Sequence, residues 1–222
     1  MITVFLPCRL GSQRVPDKNI RNFAGIEGGL LRIKLEQLCK VKAIDSIVLS
    51  SNDPRVLDFA AKYSDSRLTI DERPDELGRN TTTTDELIQY VPKVISEGHI
   101  LWTHVTSPFL TEQDYERIIE CYFEKIRIGY DSLMTVLKLQ GFIWDKNGPV
   151  SYKRKHINWP MTQNIEPFYE IDSGVFLSTI KNYVKFNDRI GRSPYLFEQD
   201  KSKSIDIDWP EDFNFAEKLY KL

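Results

Sequence analysis

Cysteine is scarce in this chain of 222 residues: Cys8, Cys39 and Cys121 are odd in number and far apart in sequence. That excludes a disulfide framework and a four-cysteine zinc site, and it fits a reducing cytoplasm. A charge excess of one sign is lacking as well. Thirty Lys plus Arg against thirty-two Asp plus Glu leave a net charge of −2, so no global field draws nucleic acid or an anionic membrane, and any anion site must be local. Long apolar runs are missing: the opening "MITVFLPCRL" holds a run of five residues, against the roughly 20 a spanning helix needs, and no basic stretch precedes it. The chain is therefore expected to be soluble, unprocessed and cytoplasmic. There is no G-x-x-x-x-G-K-[ST], and Gly25, Gly28 and Gly29 do not form G-x-G-x-x-G directly after a strand, which argues against a Walker NTPase and a Rossmann dehydrogenase.

What is present reads as one domain over residues 1–222, since 41% hydrophobic content supplies a substantial core and no repeat, low-complexity tract or linker divides it. "ITVFL" is a short buried strand. "LLRIKLEQLCKV" places Leu31, Leu35 and Leu38 at helical spacing, with Leu30, Ile33 and Val41 widening the face. "SIVLSS" follows as a strand, and Asp53-Pro54 is an N-cap and first-turn pair for "PRVLDFAAKY". "RLTI" is a third strand. A helix is expected from about Asp85 to Ser96, then the strand "HILWTHV", a helix capped by Thr111 with Asp114, and the strand "DSLMTVLKL". Such alternation argues for an α/β fold with a mostly parallel sheet and helices on both faces. Residues 141–167 break the pattern with short aromatic and basic pieces around an Asn-Gly-Pro turn, and are expected to form a protruding arm. "FYEIDSGVFLS" returns to the sheet, and the chain closes with "SIDID", read as a strand, and the helix "PEDFNFAEKLYKL".

Three stretches carry chemistry. In "FLPCRLGSQRVPDKN" a strand runs into a loop holding Arg9, Gly11, Ser12, Arg14, Lys18 and Asn19. In open α/β sheets ligands bind at strand carboxyl ends, and these basic groups with backbone N–H donors suit a polyphosphate; a solvated surface loop is the alternative. In "SIDIDWPEDF", Asp206 and Asp208 alternate with Ile205 and Ile207, so an extended backbone puts both carboxylates on one side, Cα atoms roughly 6.5–7 Å apart. Such a pair suits Mg²⁺, which takes one or two carboxylates and completes its shell with water and substrate phosphates; a charged edge strand is the alternative. "ERPDELGRNTTTTDE" offers Arg73 and a threonine run for a base and ribose, or simply caps the next helix through Thr84 or Asp85. His99 and His104, five apart, fall on opposite faces and do not make a zinc pair. His156 among Lys153, Arg154 and Lys155 reads as exposed, and Cys8, with no histidine partner in view, as a small filler.

Taken in order, "LPCRLGSQRVPDKN", "VLSSND", "RPDEL" with "TTTT", "VTSPFLT" and "SIDIDWPEDFNFAE" resemble the landmarks of the sialic acid cytidylyltransferases, over residues 2 to about 219. The resemblance implies a Rossmann-like nucleotidyltransferase fold and a CMP-sugar synthetase: CTP plus a sugar acid gives the CMP-linked sugar and pyrophosphate. It implies that Arg9, Gly11, Ser12, Arg14, Lys18 and Asn19 hold the nucleotide, chiefly its phosphates, completed by Arg73, Thr82 and Thr84. Arg9, Lys18, Asp206 and Asp208 would be catalytic, the two aspartates holding Mg²⁺. His104, Gln163, Tyr169, Glu170, Asp172 and Ser173 would meet the acceptor. The 141–167 arm corresponds to the segment through which these enzymes form homodimers, with Phe142, Trp144, Tyr152 and Trp159 as anchors or as a small local core.

The departures from that pattern are specific. Gln13 stands at a frequent lysine, with Arg14 beside it to restore the charge, as in the pseudaminic-acid branch. Cys8 replaces alanine, and His104 stands at a glutamine. "YEIDSGVF" replaces "RPNGAIY", and Thr162 stands at an arginine before Gln163. Two basic groups expected near the acceptor carboxylate are thus missing, while Glu170 and Asp172 add negative charge, which disfavours an anionic acceptor such as N-acetylneuraminic acid. Lys153, Arg154 and Lys155 would restore charge if the arm folds over the pocket. "THVTSP" lacks the acidic residue of the synthetases for Kdo. The alternative functions are another sugar nucleotidyltransferase of this fold, using another NTP or a phosphorylated sugar, and a non-catalytic nucleotide binder.

Overall fold

The computed structural model describes residues 1–154 and 157–222; Lys155 and His156 lie outside the described residues. β1 (Ile2–Cys8), β2 (Ser46–Ser51) and β3 (Leu68–Glu72) are joined through α1 (Gly29–Lys40) and α2 (Pro54–Ala61). Then come α3 (Thr84–Val94), β4 (His99–Thr103), α4 (Glu112–Arg127) and β5 (Ser132–Leu139). The arm carries the two-residue strands β6 (Trp144–Asp145) and β7 (Gly148–Pro149), followed by β8 (Phe168–Thr179), α5 (Ile180–Phe186), β9 (Pro194–Glu198) and α6 (Pro210–Tyr220).

Seven strands form one sheet in the order β3-β2-β1-β4-β8-β5-β9. Pairing is parallel except where β8 runs antiparallel between β4 and β5. The mostly parallel mixed sheet expected from the sequence is thus present. Alternation along the strands sends Val4, Leu6, Ile47 and Leu49 toward one core with α1, α2, α4 and α6. Phe5, Val48, Trp102 and Phe176 face a second core with α3 and α5, so both faces are covered and every central strand reads apolar. Among the described residues no helix is long and apolar enough to cross a membrane.

The chain order reverses beside β1: β2 and β3 extend the sheet one way, and β4 returns on the other side. The loops leaving β1 and β4 therefore diverge and open a crevice at their carboxyl ends. Two expectations need correction. The "SIDID" segment is extended but joins no strand ladder, because β8 already fills the place beside β4; Ile207 N instead donates to Thr106 O at 3.0 Å. The N-cap of α3 is Thr83, not Thr84 or Asp85, with Glu86 closing the capping box. α5 and β9 were not anticipated.

Candidate active site

A cleft of about 590 Å³ opens at the crevice, lined from the β1 loop by Arg9, Ser12, Gln13, Arg14, Lys18 and Asn19. Gly11 (φ 77°) and Asp17 (φ 54°) turn the loop back, and buried Val15 pins it to the core. Asn19 holds the loop closed, donating from Nδ2 to Arg9 O at 3.0 Å while its own carbonyl accepts from Leu31 N at 2.8 Å. Arg9 is steadied by the side chain of Asn80. From beyond β3 comes Arg73, buried and donating to Ser50 Oγ (3.0 Å) and Ser50 O (2.6 Å). Burial lowers its pKa, since the charge has lost water without gaining a close carboxylate partner. Thr84, at the start of α3, also lines the cleft. Thr82 does not, because its hydroxyl is spent on Glu76 O at 3.0 Å.

Asp206 and Asp208 stand across from this basic loop, with Ile207 buried between them. Lys18 Nζ donates to Ile207 O (2.6 Å) and Asp208 Oδ1 (3.2 Å), and Arg14 reaches the same Oδ1 at 3.2 Å. Asp206 Oδ1 is buried and has no hydrogen-bond partner among the described residues. Burial pushes its carboxyl above the ordinary range, with nearby Thr106 opposing and Asp208 adding to the rise. A desolvated carboxylate oxygen with no hydrogen-bond partner and a second carboxylate nearby is short of a cation. Among the described residues no group of three or more His, Cys, Asp or Glu clusters as a metal site, so any ion held here would draw its remaining ligands from water or substrate.

His104 and Ser173 line the opposite wall. The Trp102 indole donates to His104 Nε2 at 3.0 Å; an indole can only donate, so the imidazole accepts there and carries its proton on Nδ1. Burial, then Arg189 and Lys18, hold the ring neutral, its pKa down to about 3. Ser173 sits in left-handed backbone (φ 58°) at the β5–β8 irregularity, fixed because Asp172 accepts from the Thr135 hydroxyl and from Gly174 N (3.0 Å). Beneath the wall, buried Lys34 donates to Ser107 O (2.8 Å) and Tyr115 OH (2.7 Å), and burial brings its pKa down to about 7. Burial also pushes the Cys8 thiol up to about 12, so it fills space as expected and is no nucleophile.

The other acceptor candidates are not among the residues that line this cleft. Gln163 is exposed on the arm, and Tyr169 points its hydroxyl at Glu198 Oε1 (3.3 Å). Glu170 is exposed on β8 opposite Leu137, and Asp172 is buried among the groups it braces. Neither Glu170 nor Asp172 lines the cleft, so the acidic pair expected there does not form its wall, although Asp172 lies near enough to Asp206 to add to the rise of its carboxyl. Conversely, Arg189 lines it and was missed. The signal was there, since Thr179 caps "IKNYVKF" and "YLFE" is a short apolar run, which together would have carried residues 187–193 back toward the sheet.

The family model described as Cytidylyltransferase matches residues 3–222. The chain belongs to this cytidylyltransferase family. It is similar to the pseudaminic acid cytidylyltransferase of Campylobacter jejuni, 23% identical over 226 residues that cover 98% of this chain and 95% of the relative. It is also similar to the CMP-N,N'-diacetyllegionaminic acid synthase of Legionella pneumophila, 24% identical over 233 residues covering 100% and 97% of the two chains. Among solved structures, a CMP:2-keto-3-deoxy-manno-octonic acid synthetase complexed with CTP superposes with a TM-score of 0.69 at 12% identity, covering 99% of this cytidylyltransferase and 98% of that chain. That similarity carries the fold.

Proposed function

We propose that this cytidylyltransferase transfers CMP from CTP to the hydroxyl of a nonulosonic acid of the pseudaminic, legionaminic or sialic type, releasing pyrophosphate. The observation that carries this reading is the convergence in one cleft of Arg9, Ser12, Arg14, Lys18, Asn19, Arg73 and Thr84 with Asp206 and Asp208. The sugar oxygen attacks the α-phosphorus, the bond to the bridging oxygen breaks, pyrophosphate leaves with that electron pair, and the hydroxyl proton is released. This chemistry needs alignment and charge neutralisation more than covalent help. Arg9, Arg14 and Lys18 neutralise the triphosphate, with Gly11 shaping the loop. Arg73 and Thr84 address the nucleoside, and His104 offers Nδ1–H to a sugar oxygen. Asp206 and Asp208 would hold Mg²⁺, the unpartnered Asp206 Oδ1 and an all-oxygen donor set being suited to a hard cation. When bound, Mg²⁺ supplies charge neutralisation at the reacting phosphate.

At concentrations near 100 times its Kd, CTP is expected to raise Tm by roughly 5–10 °C, and ATP, GTP and UTP by less. Pyrophosphate release from CTP is then expected only when a nonulosonic acid is added. Equal shifts from all four nucleotides would overturn the cytidine assignment, and absence of release with pseudaminic, legionaminic and N-acetylneuraminic acids would overturn the acceptor class.

The 141–167 arm is proposed to be a homodimer contact. Within it Tyr152 is buried by Phe142 (centroids 5.1 Å) and Trp159 (6.4 Å), so it serves a local aromatic cluster. Phe142, Trp144 and Trp159 nevertheless keep exposed faces, with Arg154 near both indoles (5.7 and 5.6 Å). An apolar patch of this kind on a protruding arm suits a second copy, and Gln163 on the same arm would then approach the partner's cleft. Replacing Trp144 and Trp159 with serine is expected to convert a dimer into a monomer by light scattering; a monomeric parent protein would end this reading.

A further inference from the structure

Arg189 lies in the 187–193 loop between α5 and β9. Its guanidinium carbon sits 3.5 Å from the centroid of the Phe176 ring on β8 and 5.3 Å from the Trp102 ring on β4. Stacking of this kind holds the plane of the fork while leaving its N–H edge unspent. Among the described residues the guanidinium has no ion pair, and the neighbouring Asp188 directs Oδ1 to Ile190 N at 3.3 Å. Burial lowers the Arg189 pKa, the mark of a cation that has lost water without a close counter-charge. Such a group, facing a cleft, is arranged for an oxyanion that arrives from outside.

Position decides which oxyanion. The basic loop follows β1 and Arg73 follows β3, whereas Arg189 rests on side chains of β4 and β8, on the other side of β1 in the sheet order. It shares Trp102 with His104, whose Nδ1–H is free for a ligand oxygen, and lines the same wall as Ser173. Arg189 is thus a basic group on this wall that comes from neither the "YEIDSGVF" segment nor the residues around Thr162.

We propose that Arg189 is the acceptor-recognition residue of this enzyme, its fork pairing with the carboxylate of the sugar acid beside His104 and Ser173. This rests on the reading of the acceptor as a nonulosonic acid. The acid with the highest wild-type kcat/KM among pseudaminic, legionaminic and N-acetylneuraminic acids is compared with its methyl ester in the wild type and in Arg189→Gln. Loss of one partner of a hydrogen-bonded charge pair is expected to raise KM for the acid by about 100-fold and leave KM for CTP within about threefold. The wild type should prefer acid over ester by a similar factor, and Arg189→Gln should lose that preference. Arg189→Lys keeps the charge without the fork and is expected to fall between them, at about tenfold; it stands in if the glutamine variant does not fold.

A rise in KM for CTP instead would assign Arg189 to the triphosphate and overturn the proposal. So would an unchanged acceptor KM in a folded variant, or an acid preference that survives Arg189→Gln. A wild type that turns over none of the three acids overturns the acceptor class itself, and with it this proposal; that outcome is read before any variant is made.

Discussion

Asp206→Asn and Asp208→Asn are each expected to lower kcat by at least about 100-fold while the protein stays folded, the scale of losing metal-assisted charge stabilisation. The two aspartates reach this result differently. Asp206 is desolvated, its Oδ1 has no partner among the described residues, and its carboxyl is pushed above the ordinary range by burial. An amide of the same shape removes that burial penalty, so Tm should hold or rise as activity falls. Opposite movements of stability and turnover mark a residue kept for its charge rather than for the fold. Asp208 is half exposed and receives Lys18 and Arg14 on one oxygen, so its asparagine variant should lose activity without a comparable gain in Tm. Titrating Mg²⁺ against kcat completes the test: wild-type turnover by both variants at limiting Mg²⁺ would remove the metal assignment.

How much of this was legible in the sequence depended on whether a property was local. The apolar periods of β1, α1 and β2 and the Asp53 and Thr111 caps are fixed by neighbours in the chain, and they stand where expected. Alternation in "SIDID" gave the side-chain arrangement correctly, Ile207 buried and Asp206 with Asp208 in the cleft, yet the segment is no strand. Periodicity reports which face a residue takes, not whether a neighbouring strand is available to pair. Strand order is equally silent in a single sequence. Arg189 enters the cleft wall only because β8 lies between β4 and β5, so that the α5–β9 loop crosses the aromatic pair Trp102 and Phe176. Thr82 failed for a smaller reason: four threonines in a row all look like donors, and only the fold reveals that this one is spent on Glu76 O. Glu170 and Asp172 were read as one acidic pair, although neighbours two apart on a strand share a face only where the strand is regular. Glu170 lies in the regular part of the ladder opposite Leu137, whereas Asp172 belongs to the irregular stretch between Ile171 and Phe176, next to left-handed Ser173.

Lys18→Met is expected to lower kcat/KM for CTP by roughly 100- to 1,000-fold, the range associated with losing one preorganised donor to developing charge. Lys18 is mostly shielded, its side chain 13% exposed, and it spans 190 residues of sequence to reach Asp208 Oδ1. Its first bond, to Ile207 O at 2.6 Å, fixes the height of the segment carrying both aspartates, and its second fixes Asp208 itself. The third N–H of the ammonium is left for the proposed phosphate contact. Methionine fills the same space and supplies none of these bonds, so it removes a cation and loosens a carboxylate in one change. Arginine keeps the charge, but its longer stem and planar fork do not place a nitrogen where Nζ sits between Ile207 O and Asp208 Oδ1, so at most partial rescue is expected. Lys18 and Asp208 are joined by one ion pair and are proposed to serve the same triphosphate, so the Lys18→Met/Asp208→Asn double variant should be little worse than the poorer single one. Multiplying losses would mean that the two groups work independently and that their contact is incidental. Retention of turnover within about tenfold by Lys18→Met would reduce Lys18 to a structural tie between the β1 loop and the 205–208 segment.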